Sequence, residues 1–147
     1  MKAIIGFAFF LLFIAGIAFV TMQGKQLGQL GSSGAEITGI KWRAVSVGDQ
    51  IIPADSGMYI QFEVDGSIKG HAGCNGIFGS LEQRASGVGV GVGPLGATRM
   101  ACPEPVMSRE VAFIDAVQKT ANFQSTGDNL SLLDEESGVL VEFVADN

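Results

Sequence analysis

Apolar and polar residues alternate along this chain in three ways, and each predicts a different element. From Ala3 to Met22 no residue is charged, and only Gly6, Gly16 and Thr21 interrupt the apolar run. A helix rises about 1.5 Å per residue, so this stretch can cross a bilayer core of about 30 Å and predicts one N-terminal transmembrane helix. Farther on, Met58, Ile60, Phe62 and Val64 fall on one face while Tyr59, Gln61 and Glu63 fall on the other. That period of two predicts a half-buried strand. Between Pro105 and Thr120, the residues Val106, Phe113, Ile114 and Val117 share a stripe at helical spacing.

The remaining pattern is strands and turns. Ile37 to Val47, with Trp42, predicts the first strand. Asp65-Gly66 predicts a tight hairpin, with Ser67 to Ala72 returning antiparallel. Gly73 to Gly76 predicts a corner, with positive φ expected at Asn75-Gly76. Ile77 to Gln83 follows as a strand. Val88, Val90 and Val92 alternate with glycines, which places the valines toward a core. Phe123–Thr126 and Leu130–Leu133 flank Gly127-Asp128-Asn129 as a second hairpin, and Val139–Val144 forms the last strand. Seven or eight short strands and one helix make a mainly β fold of the α+β class. The expected form is a small, strongly bent, barrel-like antiparallel sheet covered by the helix.

Three segments follow: a membrane anchor or signal peptide at 1–22, a flexible Gly/Ser/Gln tether at 23–35, and a folded domain at 36–147. Lys2 before the apolar run favours an N-terminus in the cytoplasm and a domain on the far side of the membrane. The run continues past Gly16-Ile17-Ala18, the one plausible cleavage site, which favours an anchor over a secreted, periplasmic product. The expected partner of residues 3–22 is a lipid bilayer. The chain has 147 residues and a net charge of −6, which excludes nucleic-acid binding through a basic surface.

Signals for chemistry are weak. Gly91, Gly93 and Gly96 fit G-x-G-x-x-G, but no helix opens directly after them to hold a pyrophosphate, so strand curvature explains them better. His71 is the single histidine, and no Gly-x-Ser-x-Gly elbow accompanies it. Asp134-Glu135-Glu136 fits a solvated turn. No catalytic, metal-binding or cofactor-binding residue is assigned, and no cofactor is implied. Cys74 and Cys102 are the only cysteines. In an oxidising compartment they are candidates for a disulfide; the alternative is two buried thiols. Glu110 lies inside the apolar stripe, where a carboxylate needs a partner. Arg99 is the best-placed cation, so a partly buried Arg99–Glu110 ion pair is expected.

Several of these residues carry a family resemblance. The stretch Gly70-His71-Ala72-Gly73-Cys74-Asn75-Gly76-Ile77-Phe78-Gly79 resembles the G-x-x-G-C-N-x-F-x-G signature of the META domain family. Thr98-Arg99-Met100-Ala101-Cys102 resembles its T-R-M-A-C signature, Glu110 to Phe113 its E-x-x-F, and Trp42 its first-strand tryptophan. The signature residues on this basis are Trp42, Gly73, Cys74, Asn75, Phe78, Gly79, Thr98, Arg99, Met100, Cys102, Glu110 and Phe113. The resemblance implies a small β-rich domain without enzymatic activity, similar to HslJ-like heat-inducible envelope proteins of bacteria, some linked to antibiotic tolerance. Many such proteins are lipoproteins, and a lipid-bearing Cys near residue 20 is absent here. The expected function is a non-catalytic, membrane-tethered envelope module that binds a protein or a small apolar ligand. The alternatives are a structural subunit of an envelope complex, or an envelope hydrolase or thiol enzyme.

Overall fold

A computed structural model describes residues 37–83 and 90–146. The expected anchor and tether lie outside the described residues. No helix among the described residues is long and apolar enough to cross a membrane.

Among the described residues ten strands and one helix follow one another. They are β1 (Lys41–Val47), β2 (Gln50–Ile51), β3 (Tyr59–Phe62), β4 (Ser67–His71), β5 (Gly76–Gln83), β6 (Val90–Val92) and β7 (Gly96–Ala97), then α1 (Val106–Gln118), β8 (Asn122–Thr126), β9 (Asn129–Leu133) and β10 (Val139–Ala145). The main path of the sheet is β6-β5-β4-β3-β1-β10-β9-β8, with β2 on β1 and β7 on β5. The strand pairs are antiparallel. The sheet curls into a nearly closed barrel whose two edges are β6 and β8. Bulges between Ala44 and Ser46 in β1 and between Val139 and Val141 in β10 sharpen the bend.

Alternation decides what each strand buries. Trp42 and Ala44 of β1, Ile60 and Phe62 of β3, Leu130 and Leu132 of β9, and Val141 and Phe143 of β10 all point into one core. The Trp42 indole N–H donates to the Ile37 carbonyl at 2.9 Å, so its polar edge is satisfied inside. α1 packs on β10 and β1. Phe113 meets Phe143 edge-on, with ring centroids 6.0 Å apart, and Phe62 meets Phe123 of β8 at 5.5 Å.

Four details differ from the pattern-based expectation. Val64 is 89% exposed, because β3 ends at Phe62 and the chain turns through Glu63–Gly66. Val90 is exposed and Val92 only partly buried, while Gly91 and Gly93 between and after them are the buried positions. The backbone there lies against the neighbouring strand: a Cβ on Gly93 would collide with the Glu82 side chain. The strands β2 and β7, two residues each, have no alternation to betray them. At the corner the positive φ belongs to Gly73 (+101°), not to Asn75 or Gly76.

Candidate functional site

The corner after β4 places Cys74 and Asn75 against the segment that follows β7. Asn75 is 2% exposed and Glu110, across on α1, is 5% exposed. The Asn75 backbone N–H donates to Glu110 Oε2 at 2.7 Å, and its side-chain Nδ2 donates to Glu110 Oε1 at 2.8 Å. Nδ2 also donates to the Met100 carbonyl at 3.2 Å. Oδ1 accepts from the Thr98 hydroxyl at 2.8 Å and from the Met100 N–H at 2.7 Å. The Thr98 hydroxyl accepts in turn from the Gly76 N–H at 3.1 Å. Both donors and both acceptor sites of the Asn75 amide are therefore used, as burial demands.

This arrangement corrects the expected Arg99–Glu110 ion pair. Arg99 is exposed, and both carboxylate oxygens of Glu110 are held by Asn75. No ion pair between Arg99 and Glu110 occurs among the described residues. The physical reason is that N–H donors already surround the carboxylate, so its desolvation is offset without a buried guanidinium.

Cys74 and Cys102 are joined as a disulfide, with Cα atoms 6.1 Å apart across 28 residues of sequence. The bond links the corner to the same segment that Asn75 holds. The signature residues thus divide by role. Asn75, Thr98, Glu110 and the Met100 backbone form the polar cluster; Cys74 and Cys102 reinforce it; Gly73 makes its corner. Trp42 and Phe113 are fully buried in the core. Gly79 gives room to Leu95, whose side chain a Cβ would strike. Phe78 is 58% exposed, and the buried apolar position of that stretch is Ile77, at 2%. Ile77 occupies the place of the F in the signature. The Met100 side chain, 56% exposed, and Arg99 take no part in the cluster.

The other candidate residues do local work. His71 Nδ1 accepts from the Gly73 N–H at 3.2 Å, steadying the corner. Asp134 accepts from the Gly138 N–H at 2.7 Å, as a turn carboxylate does. Gly91, Gly93 and Gly96 belong to strands or adjoin them. Among the described residues no group of His, Cys, Asp or Glu could hold a metal ion.

Two open clefts accompany the cluster. One, of 460 Å³, lies between the loop at 53–58, the corner at Ala72–Gly73, and the first turns of α1. Asp55, Ser56, Met58, Val106 and Arg109 line it. The other, of 310 Å³, lies where the barrel fails to close, between β5–β6 and the Gln118–Ala121 segment leading into β8. Sequence patterning missed the first cleft, since its lining comes from three separate segments and nothing in any one of them marks it.

Three comparisons place this architecture. A family model for the META domain matches residues 35–147. The fold is similar to an NMR structure of a protein from Burkholderia xenovorans at 22% identity, covering 79% of this chain and 88% of that one, with a TM-score of 0.58. It is also similar to a DUF4847 family protein from Bacteroides vulgatus at 17% identity, covering 77% of this chain and 96% of that one, with a TM-score of 0.56. No curated protein matches the chain. Matched from ahead of its first strand to its final residue, the chain belongs to the META domain family.

Proposed function

We propose that this META domain is a non-catalytic binding module of a bacterial envelope, tethered through residues 3–22 with the domain on the extracytoplasmic side. Its occupant is a protein partner or a small molecule, and its setting is the envelope's response to stress. The observation that carries the reading is how the signature residues are used. Asn75, Thr98 and Glu110 hydrogen-bond one another, and Cys74 and Cys102 bond each other, so the residues best suited to chemistry are engaged in holding three segments together. The disulfide supports an oxidising compartment. The apolar run after Lys2 supports the orientation.

A periplasm-active phosphatase fused behind Asn147 tests the topology. Activity of the fusion in intact cells is the expected result, and a cytosolic reporter overturns the reading. In the same cells both thiols should resist alkylation until a reductant is added.

A further inference from the structure

We propose that the 460 Å³ cleft between the 53–58 loop, the corner at Gly73 and the start of α1 binds a small zwitterion, an amino acid or short peptide with both termini free. This narrows the ligand of the binding-module reading and rests on it. The volume falls within the range of about 300–1,000 Å³ usual for small-molecule sites.

The charges on its walls define the ligand. Asp55 and Arg109 line the same cleft. Neither forms an ion pair with the other, or with any charged group among the described residues. Two opposite charges that line one cleft without pairing can both be engaged by a molecule carrying an ammonium at one end and a carboxylate at the other. Arg109 offers the planar fork that suits a carboxylate, and Asp55 accepts from an ammonium. Met58 and Ala72 lie behind the lining, buried at 1% and 0% exposure, and back the cleft with the packed core. Gly73 lines it without a side chain to fill it.

Two of the three walls are also held in place. Arg109 directly precedes Glu110, whose carboxylate is fixed by two hydrogen bonds from Asn75. Gly73 directly precedes Cys74, which the disulfide ties to Cys102. The polar cluster thereby sets the spacing between the wall that carries Arg109 and the corner opposite, which is the preorganisation a small ligand needs. A purely apolar ligand would gain nothing from Asp55 or Arg109.

The test titrates the full chain in detergent micelles with alanyl-alanine and follows backbone amides by NMR. Saturable shifts at Ser56, Gly73 and Arg109 are expected, with a Kd of about 1 mM. N-acetylation or C-amidation of the peptide should each weaken binding about tenfold or more, since each removes one charged partner. R109Q should abolish the preference for a free carboxylate, and D55N the preference for a free amine. The proposal is overturned if these amides do not move up to about 50 mM peptide, where even weak sites fill. Equal affinity for the end-blocked peptides overturns it as well, as does binding unchanged in both variants. Shifts confined to another surface sink this site while leaving the module reading, which fails separately on a cytosolic reporter.

Discussion

Arg109 and Glu110 are neighbours on one helix, and their surroundings are opposites. Glu110 faces the core and has both oxygens bonded to Asn75. Arg109, one residue and about 100° away, faces a cleft and pairs with nothing charged among the described residues. A buried charge without partners is too costly to persist, so folding itself dictates everything around Glu110. No such demand acts on a half-exposed guanidinium in water. The part of α1 that builds the fold and the part left free for a ligand are separated by a single step along the helix.

The sharpest break of this contrast is Glu110→Ala. It strands the Asn75 backbone N–H and one side-chain N–H in a dry site, and a loss of about 3–5 kcal/mol is expected in urea denaturation. Glu110→Gln keeps one acceptor oxygen but turns an NH2 toward a donor, and should lose about half as much. A Glu110→Ala protein as stable as the parent would show that the cluster contributes nothing to folding. Next in size is the Cys74→Ala/Cys102→Ala double variant, which reopens a 28-residue separation and should lose roughly 3.5 kcal/mol on the chain-entropy account. Because Glu110 anchors Asn75, whose side chain fastens the corner to the same 98–102 segment as the disulfide, combining it with Glu110→Gln should give a non-additive loss. Additive losses would mean that the two fastenings act independently.

The same contrast explains what could be read from sequence. Hairpins at Asp65-Gly66 and around Gly127-Asp128 are legible because turn chemistry is local, and α1 because its stripe is. Glu110 itself stands out as a carboxylate among apolar residues. Its partner does not, since charge complementarity points to Arg99 while the structure uses an amide and a backbone N–H 35 residues upstream. Long-range partners of that kind leave no periodicity. The strand order, which sets β1 beside β10, is equally non-local. The two-residue strand β7 is specified by its fit against Ile77 and Phe78 rather than by its own sequence, Gly96-Ala97. The cleft is hidden for the same reason: Asp55 and Arg109 are far apart in sequence and each is an ordinary surface charge.

On the other side of the contrast, Arg109→Ala should change stability by no more than about 0.5 kcal/mol, the usual range for surface positions without special contacts. Asp55→Ala should behave alike, and a double-mutant cycle between them should return a coupling near zero. A substantial coupling would mean that the two charges pair with each other in solution and leave no vacancy for a ligand.

The smallest effect isolates burial as the variable. Asp65, in the β3–β4 turn, accepts from the Ser67 backbone N–H at 2.9 Å and the Ser67 hydroxyl at 2.7 Å. Glu110 likewise accepts one backbone N–H and one side-chain donor, so the two carboxylates have matching partners and differ in exposure. The Ser67 hydroxyl, then its N–H, hold the Asp65 carboxyl below the ordinary carboxylate value. A carboxyl depressed in the folded state contributes stability that is fully present above its unfolded value. That contribution is lost as the pH falls through the lowered, folded value. Asp65→Asn, which keeps an acceptor oxygen for Ser67 but not the charge, should lose at neutral pH only this small charge-dependent contribution and so flatten the acid limb. The check is the urea midpoint of both proteins across the acidic range, alongside NMR titration of the Asp65 side chain. If Asp65→Asn cost as much at neutral pH as Glu110→Gln, exposure to water would not be what separates the two carboxylates, and the division drawn along α1 would lose its physical basis.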